Sequence, residues 1–299
     1  MRVFVTGASG FIGSAVVPEL IGAGHQVVGL ARSDPSAAVL AAAGAEVQRG
    51  DLDDLDGLRA GAAKADGVIH LAFIHDFSKF EASARTDQRA IEALGTALEG
   101  SDKPLVVASG VLGLAPGRLA SERDTHASGV SPRVAGMQTA LSFLARGVRS
   151  SLVRLAPTVH GRGDHGFVAR LVAIAREKGV SGYVGDGANR WPAVHRLDAA
   201  RLFRLALERA PTGPLHAIAE EGIPTRVIAE VIGRHLEVPV ASVSPGDAAA
   251  HFGFLGAFFA IDSRASSTLT RELLGWQPVH PGLIADLDEG HYFDGAGSR

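Results

Sequence analysis

"FVTGASGFIGSAVV", Phe4 to Val17, sets three glycines at three-residue spacing directly behind a short apolar run. With "RVFV" leading into it, the stretch predicts a strand, a glycine turn and the start of a helix. In that setting Gly7 permits a tight turn, Gly10 lets backbone amides approach a ligand, and Gly13 lets the helix close on the strand. Ser9, Phe11 and Ile12 fill the turn between them. A glycine turn between a strand and a helix amino end suits a pyrophosphate, so these six residues are candidate contacts to a dinucleotide.

Outward from this stretch, short apolar runs alternate with amphipathic ones. "QVVGLA", "AEVQRG", "GVIHLAF", "PLVVAS" and "SSLVRL" read as strands, with helices near residues 37–43, 55–64, 80–99 and 132–146 between them. That rhythm predicts an α/β fold, a doubly wound parallel sheet of the Rossmann type with six or seven strands over residues 1–157. Beyond Leu155 loops dominate, with helices near 167–177, 197–208 and 225–235. Residues 195–220, through the strand "LHAIA", are expected to return to the sheet. Residues 158–194 and 221–293 then form a smaller, mostly helical C-terminal substrate lobe, and 294–299 a loose tail. The ligand site is expected in the cleft between lobe and sheet, at the carboxyl ends of the strands.

Composition narrows the partners. The 299-residue chain balances 29 Lys and Arg against 32 Asp and Glu, with its arginines dispersed, so neither nucleic acid nor an anionic membrane is an expected partner. It has no cysteine, which excludes disulfides and thiolate metal sites, and no metal site is expected. "DLDDLDG" resembles the start of a calcium loop but carries Asp56 where the glycine is required. No segment approaches the roughly 18 uninterrupted apolar residues of a membrane span, and "FGFLGAF" with "FFAIDS" reads as core or pocket wall. A cytoplasmic location is the expectation.

The end of the second strand, "VVGLARSD", addresses which nicotinamide cofactor is bound. A carboxylate there would bind the ribose 2′-hydroxyl, but Ala31 occupies the place, followed by Arg32 and Ser33, a guanidinium and a hydroxyl suited to a 2′-phosphate. NADP(H) is therefore favoured over NAD(H), although Arg32 could instead be solvated or stacked on adenine, and Asp34 could reach the ribose. Asp51 and Leu52, in "GDL", fall near the adenine, with Asp51 as a helix N-cap the alternative.

"TGASGFIG", "GDL", "HLAF", "VVASG", "VRLAPTVHG" and "GDGANRWPAVHRLDAARLF", in that order over residues 1 to about 210, resemble the extended short-chain dehydrogenase/reductase superfamily. More narrowly they resemble its atypical members grouped with NAD-dependent epimerase/dehydratases. The resemblance implies that Leu71, Ala72, Phe73 and Pro157 line the nicotinamide half of the cofactor. It places His160 beside the substrate, and Asn189, Trp191 and His195 in the stretch that closes the pocket. It also implies a Ser or Thr after the fifth strand that contacts the substrate oxygen. Ser109 lies in that segment, with Gly110 or Val111 the alternative positions and a backbone-bonding serine the alternative role. Pairing into a homodimer through the helices at 80–99 and 132–146 is a further expectation from such folds.

Catalysis in that superfamily rests on Tyr-x-x-x-Lys, where the lysine lowers the tyrosine pKa. Here Arg133 and Met137 occupy the two positions. The two tyrosines, Tyr183 and Tyr292, are followed four places on by Gly187 and Ala296, so the pair occurs nowhere in the chain. Arg133 could polarise a carbonyl and stabilise an alkoxide, although a salt bridge or surface contact is the other reading. Met137 would add apolar contact to the ribose or pocket wall. Loop histidines His75, His126, His160 and His195 are the residues best suited to move a proton, with structural roles the alternative for each. Together these features predict an NADP(H)-dependent oxidoreductase that reduces a small, hydrophobic carbonyl substrate. The alternatives are a non-catalytic NADP(H)-binding regulator and a nucleotide-sugar epimerase or dehydratase.

Overall fold

The computed structural model describes residues 1–127 and 131–294. Its chain opens with β1 (Arg2–Thr6), α1 (Gly13–Gly22), β2 (Gln26–Ala31), α2 (Asp34–Ala42), β3 (Glu46–Arg49), α3 (Leu55–Ala63), β4 (Gly67–His70), α4 (Phe80–Ala97), β5 (Pro104–Gly110), α5 (Arg133–Ser142) and β6 (Arg149–Leu155). It continues through β7 (Thr158–His160), α6 (Phe167–Lys178), β8 (Ser181–Val184), β9 (Arg190–His195), α7 (Arg196–Arg209), β10 (Gly213–Ala217), β11 (Glu220–Pro224), α8 (Thr225–Leu236) and β12 (Val240–Val243). Four short helices end it: α9 (Ala248–Phe252), α10 (Gly256–Phe259), α11 (Thr268–Leu274) and α12 (Leu283–Asp288).

Seven parallel strands in the order β3-β2-β1-β4-β5-β6-β10 make the main sheet. Its inner strands are apolar on both faces because helices cover both, and each face has its own core. Val3, Val5, Ile69, Val106 and Val153 pack toward α1 and α7, while Phe4, Val68, Leu105, Val107 and Leu152 pack toward α3, α4 and α5. Strand order reverses between β1 and β4, and there the chain leaves both strands at their carboxyl ends and opens a crevice. The glycine turn after β1 and the loop after β4 are the two lips of that crevice.

The second lobe has its own core, built on Val168, Leu171 and Val172 of α6, Ile228 and Ile232 of α8, and the rings of Trp191, Phe252 and Phe259. Besides helices it carries two small sheets, β11-β9-β7 and β12-β8. The apolar stretch around Phe252 to Phe259 is core, with Phe252, Leu255 and Phe259 buried. Of the tail expected at 294–299, everything beyond Asp294 lies outside the described residues. Among the described residues no helix is long and apolar enough to cross a membrane.

Candidate active site

The backbone at the first lip is set by two glycines. Gly7 has φ +66°, and a Cβ there would lie 2.6 Å from the Ala72 nitrogen, so only glycine lets the two lips of the crevice touch. A Cβ on Gly13 would lie 2.1 Å from the Gly7 carbonyl oxygen, so the first turn of α1 is pressed onto the loop. Gly10 is exposed at the loop tip, its N–H donating to the Gly7 carbonyl at 3.0 Å, and Ser9, Phe11 and Ile12 are half-buried around it. No side chain caps α1 and no acidic residue stands in its first turn. The positive end of the helix is left for a ligand, and an anion fits it. The cradle therefore suits the pyrophosphate of a dinucleotide.

At the second lip a buried polar chain holds the backbone. Thr6 Oγ1 accepts the Ala72 N–H at 3.3 Å and meets His70 Nδ1 at 2.8 Å, and His70 Nε2 meets Asp87 Oδ1 of α4 at 3.1 Å. A carboxylate only accepts, so the proton sits on Nε2 and Nδ1 accepts from the threonine. Leu71 N–H donates to the Thr6 carbonyl at 3.2 Å, completing the attachment of Leu71 and Ala72 to β1. Beyond them Phe73 is half-buried, as is Pro157 between β6 and β7.

Phe73 carries the site's unusual feature. The Arg133 guanidinium stands 4.0 Å over its ring and donates to the Ala108 carbonyl at 3.4 Å. Among the described residues Arg133 joins no ion pair, so the salt-bridge reading is corrected: the guanidinium turns inward at the first residue of α5, stacked on an aromatic ring. Burial pulls its pKa down against the opposing field of Asp87, and it remains a cation. His75 sets its ring edge against Phe73 at 5.3 Å, and desolvation followed by the Arg133 charge lowers its pKa below the ordinary value. Ser109, only 4 % exposed, is one residue from the carbonyl that Arg133 holds, and its Oγ has no hydrogen-bond partner among the described residues.

At the adenine end Ser33 caps α2, accepting the Ser36 N–H at 3.4 Å. Asp34 does not point to a ribose, because its carboxylate is held by Arg49, whose guanidinium also donates to the Ser33 carbonyl at 2.7 Å. Arg49 is the register partner of Ala31 across β2 and β3, a neighbour that only the sheet brings there. Arg32 is exposed beside them. Asp51 accepts the Asp53 and Asp54 amides at 2.9 and 3.1 Å, and the cap of α3 is Asp54 rather than Asp51. Leu52 packs on the α3 side of the sheet.

Several expected pocket residues are committed elsewhere. Trp191 is fully buried in the second core and donates Nε1–H to the Ile261 carbonyl at 3.1 Å. Asn189 donates to the Phe259 carbonyl at 2.7 Å and accepts from Thr225 Oγ1 at 2.7 Å, which uses its amide to brace the lobe. Val111 is buried on the α1 and α7 side of the sheet, and Met137 packs against the α4 and α5 core. His160 is buried with Nδ1 on Asp286 at 2.9 Å. His195 caps α7 through Nδ1, which accepts the Leu197 N–H at 3.3 Å, and burial followed by neighbouring His160 pushes its pKa down to about 4. His126 Nε2 lies 3.4 Å from the Leu112 carbonyl, and desolvation and the Arg154 charge lower its pKa. Asp286, Glu289 and His291 have metal-ligand spacing, but both Asp286 oxygens are already engaged by His160 and His291.

Residues 3–97 match the NAD dependent epimerase/dehydratase family. A UDP-glucose 4-epimerase of Mycolicibacterium smegmatis is 30% identical over 302 residues, covering 93% of this chain and 94% of that protein. The chain belongs to the NAD-dependent epimerase/dehydratase family. Within it, an uncharacterized protein of Schizosaccharomyces pombe is 51% identical over 295 residues, covering 98% of this chain and all of that one. A ketoreductase of Stigmatella aurantiaca, named for a farnesylated dihydroquinoline oxide, is 27% identical over 268 residues, covering 85% of this chain and 80% of that protein. Epimerase/dehydratase membership and the glycine cradle agree on a nicotinamide dinucleotide, and the chain is oxidoreductase-like in its cofactor half.

Proposed function

We propose that the protein is an NADP(H)-dependent reductase of a hydrophobic carbonyl compound, with Arg133 in the role that a tyrosine fills in related enzymes. The carrying observation is the Arg133 guanidinium over Phe73, without a carboxylate partner among the described residues, at the carboxyl ends of β4 and β5 where a nicotinamide would reach. A dihydronicotinamide, when bound there, would supply a hydride. Phe73 holds the guanidinium in place, so its remaining N–H groups can bind the carbonyl oxygen and stabilise negative charge as it develops there. His75, exposed at the mouth and neutral at pH 7 because its pKa is lowered, can relay a proton from water to that oxygen. Asp87 and His70 hold the loop that carries Phe73 through Thr6 and Ala72. The ketoreductase relative supports a carbonyl substrate.

NADP(H) is supported by the adenine corner, where Arg49 neutralises Asp34, a carboxylate that would repel a 2′-phosphate, and the exposed Arg32 adds a cation. The test is NADPH oxidation at 340 nm across ketones, aldehydes and imines of graded apolar size, on protein shown to bind NADPH. Binding without turnover of any of them would leave a cofactor-binding regulator as the better reading. The identity to a UDP-glucose 4-epimerase favours a second reading, sugar-nucleotide epimerisation. Conversion of UDP-glucose to UDP-galactose by the purified protein would establish it.

A further inference from the structure

Phe11 projects from the glycine loop against two cationic or ionisable side chains from outside the loop. The guanidinium carbon of Arg196 lies 5.2 Å from the centre of its ring, and the His165 ring meets it edge-on at 5.7 Å. Each is mounted on a fixed support. Arg196 is the first residue of α7, immediately after the capping His195. His165 stands in the 161–166 loop, which Tyr292 pins by accepting the Gly161 N–H at 3.2 Å and donating to Asp164 Oδ2 at 3.0 Å. Asp164 in turn accepts the Gly166 N–H at 2.6 Å. The Arg196 stem runs along this loop, 3.3 Å from where a Cβ on Gly161 would lie. Among the described residues Arg196 has no carboxylate partner. The amino end of α1, which begins two residues after Phe11, has neither a side-chain cap nor an acidic residue in its first turn. A guanidinium without a carboxylate partner is held against Phe11, two residues before the uncapped start of α1, and a diphosphate suits both groups.

We propose that Arg196, with His165 beside it, grips the diphosphate of a nucleotide bound at the glycine loop. This rests on the dinucleotide reading of that loop, and the diphosphate could belong to the cofactor or to a nucleotide-linked substrate. Cation–π contact with Phe11 keeps the guanidinium aimed at the site before the ligand arrives.

The test is calorimetric titration of the full chain, wild type, Arg196→Ala and Arg196→Lys, with three probes. NADPH carries a diphosphate; adenosine 2′,5′-bisphosphate keeps the 2′-phosphate but has a monophosphate in its place; UDP carries the diphosphate of a nucleotide-linked substrate. Arg196→Ala is expected to weaken NADPH about tenfold or more, leave the bisphosphate within about twofold, and be partly rescued by Arg196→Lys. Weakening of UDP with NADPH unchanged would keep the grip and assign it to the substrate. NADPH and UDP both bound by Arg196→Ala as by wild type would overturn the inference alone. Equal weakening of the bisphosphate would also overturn it, as general damage to the fold. Wild-type protein that bound neither NADPH nor UDP would remove the reading of the glycine loop and the inference with it.

Discussion

The two lips of the crevice solve the same problem with different materials. After β1 the candidate surface is backbone, shaped by Gly7 and Gly13; after β4 and β5 it is side chain, with Phe73, Arg133 and His75 packed together. Backbone surfaces admit one residue type and are hard to alter, whereas a side-chain surface can be rebuilt with other groups while the fold stands. The contrast would let a chain with a glycine cradle carry Arg133 and Met137 on α5 without disturbing the fold.

The most damaging change should fall on the backbone side. Gly13→Ala drives a methyl to 2.1 Å from the Gly7 carbonyl oxygen, and a loss of about 4 kcal/mol or more is expected, with NADPH binding abolished. A thermal melt beside a binding titration checks it, and a variant that melts and binds like wild type would break the contrast. On the side-chain lip, Arg133→Ala should leave the fold and the NADPH Kd within about twofold while lowering kcat/KM roughly 100- to 1000-fold. Arg133→Lys should recover only part, because the planar fork over Phe73 is lost. At the adenine corner, Arg32→Ala should weaken NADPH about tenfold and leave NADH unchanged, which competitive titration with both cofactors would read.

The smallest expected effect is one of pH. His195 has a folded pKa of about 4 against an ordinary 6.5, so the unfolded chain binds more protons between those values. Its contribution is fully present above pH 6.5 and is lost as pH falls toward 4, by at most about 3 kcal/mol. His160, His280, Asp286 and Asp198 surround it, and only part of any acid slope is its own. His195→Asn, which can still cap α7, should flatten the difference in denaturant midpoint between pH 7 and pH 5. An unchanged slope would place the proton uptake on its neighbours.

How much could be read from the sequence follows the same division. The alternation of strands and helices, the glycine loop and the return of residues 213–217 to the main sheet are visible in local patterns, because each depends on residues adjacent in the chain or two to four apart. Strand ends are less legible: β4 stops at His70, since Leu71 and Ala72 are drawn away by Thr6, a residue of another strand. In the second lobe Trp191 and Asn189 look like pocket residues in sequence, yet their partners, Ile261 and Phe259, lie 70 residues further along. Arg49 left no local sign either, because only the pairing of β2 with β3 sets it beside Ala31. The 161–166 loop offered "GDHG" as a hint, but nothing in it announces contact with Phe11.

Tyr292 gives this architecture an order in time. The hydroxyl that fixes the 161–166 loop is separated from Gly161 by 131 positions, and the glycine turn lies earlier in the chain than both. During synthesis the glycine turn emerges before that loop, and the loop stays without its pin until Tyr292 follows 131 positions after Gly161. The nascent chain can shape one wall of its nucleotide site long before the other, and closing so wide a span makes the finished pocket a late event in folding.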